Sequence, residues 1–93
     1  MSLKILQIID TLNVGGAEKI TVMLANVLAQ KGNISGVVTL VEAGRLSGKL
    51  DKDVKFYNLE RKSKWDISNA KVFFKIAQRY DLIHVHLQHN LKW

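Results

Sequence analysis

The sequence predicts an α/β protein with a doubly wound, mainly parallel sheet. Apolar, β-prone runs alternate with two helical segments in the order strand, helix, strand, strand, helix, strand. The first strand, helix and second strand are joined by short connections, which implies a right-handed crossover and parallel pairing. Because the first strand of a doubly wound sheet is central, we predict the strand order 3-2-1-4.

The first strand and the first helix have the clearest sequence patterns. Residues 3–9 form a near-continuous β-prone run, as expected for a central strand that is covered on both faces. A polar turn leads into a helix predicted over residues 17–31, with Gly32 as its C-terminal cap. The apolar residues of this helix recur at spacings of three and four: Ala17, Ile20, Met23, Leu24, Val27 and Leu28.

The rest of the chain is predicted to add three strands and a second helix. The strands are residues 34–41, 54–59 and 80–87. The second of these is expected near a sheet edge, because Lys55 and Asn58 interrupt its apolar pattern. Residues 42–53 are predicted to be surface loop. The second helix begins at Asp66 or Ser68 and runs to about residue 79. Its buried side is predicted to contain Ile67, Ala70, Phe73, Phe74 and Ala77, and its exposed face Lys71, Lys75 and Arg79.

Composition restricts the location and the partners that we expect. The chain has 93 residues, enough for one small domain over residues 1–93, and no cysteine, which excludes disulfides and thiolate metal sites. No apolar run approaches the roughly 18 residues of a membrane span, and the N-terminus lacks the layout of a signal peptide, so we expect a cytoplasmic protein. The net charge of +6 favours an anionic partner, which could be a nucleotide, a nucleic acid or a lipid headgroup.

The turn before the first helix contains two adjacent glycines, Gly15 and Gly16. Glycine lets a phosphate approach the backbone closely, and the helix that follows presents unpaired N–H groups and a partial positive charge. A Gly-Gly pair can equally be only a tight turn. Neither the dinucleotide fingerprint nor the Walker lysine pattern is present, so an anion here would be held in another way.

The predicted strand order places a cleft between the carboxyl ends of the first and fourth strands, where residues 10–16 and 86–90 should face each other. The predicted fourth strand and the residues just after it contain three histidines. His84 is expected to be a core histidine beneath a helix, and His86, at the end of the strand, could be either core or site. His89 lies just beyond, in the loop that enters the cleft, and is the best candidate for chemistry.

The sequence contains residues for two other kinds of ligand site, a metal site and a ribose site. Histidines are common metal ligands, but a metal would need a further ligand from Asp10 or Glu42, and we expect no metal. Glu42 could bind a ribose, as an acidic residue does in dinucleotide folds, but the glycine fingerprint of those folds is missing.

The basic linker between the third strand and the second helix has the composition of an interfacial membrane anchor, and a solvated loop with a packed tryptophan explains it almost as well. The residues concerned are Arg61, Lys62, Lys64 and Trp65. They would give peripheral contact at the inner face of the membrane. No nucleic-acid partner is expected, because the basic residues are spread over several segments and no aromatic platform motif accompanies them.

Three segments of the sequence carry a family resemblance: K-I-L-Q-I-I-D-T-L-N-V-G-G-A-E-K, A-N-V-L-A-Q-K-G and D-L-I-H-V-H-L-Q-H. Together, in this order and spacing, they resemble the N-terminal, Rossmann-like domain of family-4 retaining glycosyltransferases of the GT-B fold. The chain departs from the family's pattern in Asn33, where histidine is common, and in Arg79-Tyr80 before Asp81, where proline is common.

The resemblance implies transfer of a sugar from a nucleotide-sugar donor to a glycan or lipid-linked acceptor, with retention and without a required metal or other cofactor. It assigns Gly15 and Gly16 to the donor's diphosphate and sugar, His86 to donor binding and His89 to the catalytic contact with the donor sugar. The second domain of the family, which supplies most of the nucleotide pocket, is absent from these 93 residues.

From that absence we expect a truncated domain that is inactive alone and that self-associates through its bare fourth strand or its C-terminal tail. The alternatives are a stand-alone nucleotide- or phosphate-binding module and a doubly wound interaction domain without a ligand.

Overall fold

The computed structural model describes residues 2–12, 16–59 and 68–86. In chain order these residues form β1 (Lys4–Thr11), α1 (Gly16–Gln30), β2 (Ile34–Glu42), a short 3-10 helix (Arg45–Lys49), β3 (Lys55–Asn58), α2 (Ser68–Ala77) and β4 (Leu82–Val85). The predicted sequence of elements is confirmed. The 3-10 helix lies where only loop was expected, and β4 is shorter than predicted in the part of the chain that is described.

The four described strands form one parallel sheet in the order β3-β2-β1-β4. The predicted order 3-2-1-4, the central first strand and the edge position of the third strand are therefore confirmed. Gln7 of β1 lies opposite Val37 of β2 and His84 of β4, which puts these three side chains on the same face. This is a Rossmann-like α/β arrangement, in which the direction of strand addition reverses between β1 and β4.

The side chains of β1 alternate between two cores, one on each face of the sheet. Ile9 packs with Val37 and with α1, whereas Leu6 packs with Val38 and with Ile76 of α2. The two helices therefore cover opposite faces. The β1–β2 and β3–β4 connections cross the sheet in opposite directions, and their helices lie on opposite faces. The two crossovers therefore have the same hand.

The buried face of α1 is not the one that its apolar spacing indicates. Its buried residues are Thr21, Val22 and Ala25. By contrast, Ile20, Met23 and Val27 are 53%, 61% and 39% exposed. Small residues let the helix approach the sheet closely, and Ala17 and Ala29 pack against the same core. The larger apolar side chains consequently form a stripe that the rest of the described chain leaves uncovered.

The C-terminus of α1 is capped as predicted. Gly32 has a φ of 89°, a conformation that glycine adopts without strain. Its N–H donates to the carbonyl oxygen of Ala29, and the N–H of Asn33 donates to that of Leu28, which is the Schellman pattern. The Asn33 side-chain oxygen also accepts a hydrogen bond from the N–H of Leu3 at 3.0 Å. Asn33 thus joins the end of α1 to the start of the central strand.

The exposed face predicted for α2 is confirmed, and its buried face is only partly so. Lys71, Lys75 and Arg79 are exposed, and Phe73 and Ala77 pack against the core that contains Leu6. Phe74 was predicted to be buried but is 66% exposed. Neighbouring helical residues point about 100° apart, so Phe73 and Phe74 cannot both face the sheet. The predictions for Ile67 and Ala70 fall on side chains outside the described set.

Candidate functional site at the carboxyl edge of β1 and β4

The point of strand-order reversal brings the start of α1 and the end of β4 to one edge of the sheet. The N–H of His86 donates to the carbonyl oxygen of Ile8 at 2.8 Å, so β4 remains paired with β1 as far as its last residue. Ile34 at the start of β2 lies opposite Lys4 at the start of β1, so α1 must run from the carboxyl edge to the amino edge. Gly16, where α1 begins, and His86 are therefore at the same edge.

The start of α1 leaves open space beside Gly16. A Cβ atom added at Gly16 would meet no neighbouring atom within 4 Å, so packing within the described chain does not require glycine at this position. The first N–H groups of a helix have no partner within the helix, and they lie at the positive end of its dipole. This geometry suits an anion. Gly15, the other glycine predicted to lie here, is outside the described residues.

A buried glutamine in the central strand holds His86. The Nε2 atom of His86 lies 2.8 Å from Oε1 of Gln7, which is fully buried. The Nε2 atom of Gln7 in turn donates to the carbonyl oxygen of Thr21 in α1, at a long 3.5 Å. Sequence reasoning treated Gln7 only as part of an apolar run. The available signal was a polar side chain in a strand expected to be covered on both faces.

His84 is exposed, so its prediction as a core histidine is wrong. It shares the Gln7 face, as strand alternation predicts, but α1 packs over β1 and β2 and leaves β4 uncovered. The rings of His84 and His86 are 4.2 Å apart between centroids, with 35° between their planes. His84 therefore contributes a ring beside His86 rather than a packed core residue.

The pKa of His86 is lowered, first because burial disfavours the charged imidazolium and second because a charged His84 would repel it. At neutral pH the His86 ring is consequently neutral. A neutral imidazole has one N–H donor and one nitrogen acceptor, which suits a hydroxyl or amide ligand better than a phosphate. Within the site the anion-binding property belongs to α1, and His86 supplies a neutral hydrogen-bonding group.

Several predicted site residues cannot be placed. His89 and the linker residues Arg61, Lys62, Lys64 and Trp65 are outside the described ranges, as are the side chains of Asp10 and Glu42. The proposed roles of these residues therefore remain predictions. Over residues 2–12, 16–59 and 68–86, no three His, Cys, Asp or Glu side chains cluster as a metal site would require. Neither α1 nor α2 has the length and apolar character that a membrane-crossing helix needs.

Comparison with protein-family models, curated proteins and solved structures finds no match to this chain. The features that indicate a function are therefore the sheet topology, the start of α1 and the contacts of His86.

Proposed function

We propose that this chain is the N-terminal, Rossmann-like domain of a retaining glycosyltransferase that uses a nucleotide-sugar donor. One observation carries the proposal. The start of α1 and the glutamine-held His86 lie together at the carboxyl edge where the strand order reverses, and this is the usual ligand crevice of open α/β sheets. The resemblance to family-4 glycosyltransferases then supplies the class of ligand and of reaction.

In this proposal the start of α1 and His86 bind different parts of the donor. The unpaired N–H groups at the start of α1 bind the diphosphate, whose negative charge the helix dipole stabilises. The neutral ring of His86 hydrogen-bonds a sugar hydroxyl. The resemblance assigns Gly15, together with Gly16, to the diphosphate and His89 to the catalytic contact with the donor sugar. A second domain supplies the rest of the nucleotide pocket and a glycan or lipid-linked hydroxyl accepts the sugar, so the 93 residues alone bind the donor weakly and do not transfer it.

NMR titration of the ¹⁵N-labelled 93-residue chain tests the proposal. A panel of nucleotide sugars, the matching nucleoside diphosphates and inorganic phosphate is added separately to the protein. We expect nucleotide sugars to shift the amide signals at the start of α1 and the ring signals of His86. Nucleoside diphosphates should shift the α1 signals alone. Glu42, at the carboxyl end of β2, provides an amide signal that reports any ribose contact along the same edge.

Each other outcome identifies an alternative. If phosphate and nucleotides shift the α1 signals as much as nucleotide sugars do, and the sugar has no effect on the His86 ring signals, the chain is a stand-alone nucleotide- or phosphate-binding module. No shift at either place with any compound of the panel would indicate an interaction domain without a ligand and would overturn the proposal.

The exposed face of α2 supports peripheral contact with anionic lipid. Lys71, Phe74, Lys75 and Gln78 line an open hollow on this face. Two cations around a largely exposed aromatic ring match an interfacial helix, in which the ring enters the headgroup zone and the amines bind phosphates. The linker predicted to contact the membrane leads directly into α2. We therefore include anionic lipid among the proposed partners.

Vesicle sedimentation with a matched pair of variants tests this contact. Phe74 on α2 and Met23 on α1 are similarly exposed apolar residues, at 66% and 61%, on helices that cover opposite faces of the sheet. Phe74→Ser should weaken binding to vesicles with anionic lipid by roughly tenfold, from the apolar area that the ring no longer buries. Met23→Ser should leave binding unchanged. Equal effects of both variants, or equal binding to zwitterionic vesicles, would contradict the proposal.

Self-association through β4 is also proposed. Leu82, Ile83 and Val85 are each about half exposed, and β4 is an edge strand of the described sheet. Edge strands with exposed apolar side chains pair with further strands. Light scattering should show oligomers that increase with concentration, and Ile83→Lys should reduce them. A monomer at high concentration would contradict this expectation.

A further inference from the structure

The contact between Gln7 and His86 has a direction, because one end of the glutamine amide is fixed by the backbone. The carbonyl oxygen of Thr21 can only accept a hydrogen bond, so the group of Gln7 that faces it must be the NH₂. The oxygen of the same amide then faces His86 at 2.8 Å. Since an amide oxygen only accepts, Nε2 of His86 must donate. A neutral imidazole carries one proton, so the proton is on Nε2 and Nδ1 is the acceptor.

We propose that Gln7 is a positioning residue, which fixes His86 in the Nε2–H tautomer and so presents Nδ1 as a hydrogen-bond acceptor for the ligand. Gln7 is suited to this role because it is fully buried in the central strand. Its amide cannot rotate without leaving a buried polar group unpaired, which is costly. The His86 backbone is fixed as well, by the hydrogen bond of its N–H to Ile8.

The surroundings of His86 offer no competing acceptor within the described part of the chain. The groups that face its ring there are Gln7 from β1 and the His84 ring from β4, and no carboxylate in this part of the chain contacts it. Gln7 is therefore the group that selects the tautomer. This arrangement resembles the way in which a buried partner fixes the tautomer of a functional histidine in other sites.

The inference deepens the proposed function, on which its ligand depends. An acceptor at Nδ1 selects a ligand group that donates, such as a sugar hydroxyl. It disfavours the diphosphate of a nucleotide sugar, whose oxygens carry no proton at neutral pH. The tautomer itself does not depend on the ligand. It can therefore be measured in the free 93-residue chain, and its failure can be distinguished from failure of donor binding.

Long-range ¹H–¹⁵N correlation spectra of the histidine rings test the proposal directly. They are recorded at about pH 8, above the unperturbed histidine pKa, so that the His86 ring, whose pKa is lowered, is neutral. We expect His86 to carry its proton on Nε2. The ring of His84 makes no hydrogen bond within the described residues and serves as the internal reference. A wild-type spectrum with the proton of His86 on Nδ1, or shared equally between the two nitrogens, would overturn the proposal whether or not any variant folds.

Two variants separate a positioning role from a purely structural one. In Gln7→Met, which keeps a side chain of similar length without the amide, the preference of His86 for Nε2–H should fall by roughly five- to tenfold, as expected for loss of one hydrogen bond. In Gln7→Glu the carboxylate still accepts from Nε2, so the tautomer should persist and the pKa of His86 should rise. A folded Gln7→Met protein with the wild-type tautomer preference would contradict the role of Gln7.

Discussion

The substitution Gly36→Ala is expected to destabilise the protein through one contact, that with Tyr80. Gly36 lies in β2, and an added Cβ would lie 2.7 Å from Cζ and 3.0 Å from Cε1 of the Tyr80 ring. Ordinary carbon contacts are about 3.5–4.0 Å, so the ring must move by roughly 1 Å. Tyr80 packs against the core that contains Leu6, and its hydroxyl lies 3.1 Å from that of Tyr57. The ring cannot move without disturbing both interactions.

The magnitude follows from three contributions. Overpacking in a well-packed core costs about 1–3 kcal/mol, and loss of the tyrosine–tyrosine hydrogen bond costs about 1 kcal/mol. Alanine restricts the unfolded chain and offsets about 0.4–1 kcal/mol. We expect a net loss of about 2 kcal/mol, which lowers the Tm of a domain of this size by roughly 8–16 °C. Circular dichroism during heating or urea titration measures the loss.

A double-mutant cycle shows whether Tyr80 is the cause. In the Tyr80→Ala background the space over Gly36 is empty, so Gly36→Ala should be neutral or slightly stabilising. The difference between the two backgrounds should be at least about 1.5 kcal/mol. The reasoning would be refuted if Gly36→Ala had the same effect in both backgrounds.

Three further predictions concern buried and site residues. The Ser35 hydroxyl is buried and has no hydrogen-bond partner among the residues that the structure describes. Ser35→Ala should therefore raise the free energy of unfolding by about 0.5–1 kcal/mol in urea titrations, and a clear loss of stability would contradict this. The pKa of His86 is lower in the folded state than in the unfolded state. The free energy of unfolding should therefore fall as the pH drops below about 6.5 and level off below the folded pKa. His86→Gln should flatten this pH dependence. In a sugar-transfer assay of a protein that contains this chain, His89→Ala should lower kcat and kcat/KM together by roughly 30- to 1000-fold. His84 is exposed, so His84→Ala should leave both constants unchanged. Normal turnover by the His89 variant would contradict the role assigned to His89.

The topology could be predicted from the sequence because strand and helix patterns identify the type and order of the elements. The order 3-2-1-4 follows from short βαβ connections, and Gly32 marks the end of α1 through a backbone conformation that favours glycine. Such signals depend on a few neighbouring residues. They are therefore visible in a single sequence.

The contacts of the side chains could not be predicted in the same way. Apolar spacing on α1 pointed to Ile20 and Met23, but the sheet accepts the smaller side chains of Thr21 and Ala25. His84 has an apolar setting in the sequence and is nevertheless exposed, because no described helix covers β4. The link between Gln7 and His86 joins residues 79 positions apart, so only the folded pairing of β1 with β4 makes it visible.

The most direct test of the proposed donor site compares two glycines that the fold treats alike. Added Cβ atoms at Gly16 and at Gly48 would both meet open space, and neither glycine has positive φ, so alanine should be tolerated structurally at each. Calorimetric titration with the nucleotide sugar that binds best in the NMR panel gives the affinities. Gly16→Ala should weaken binding by roughly five- to thirtyfold, equivalent to about 1–2 kcal/mol, because its methyl group occupies the space of the diphosphate. Gly48→Ala should bind like the wild type. Unchanged affinity of a folded Gly16→Ala protein would contradict the proposed site.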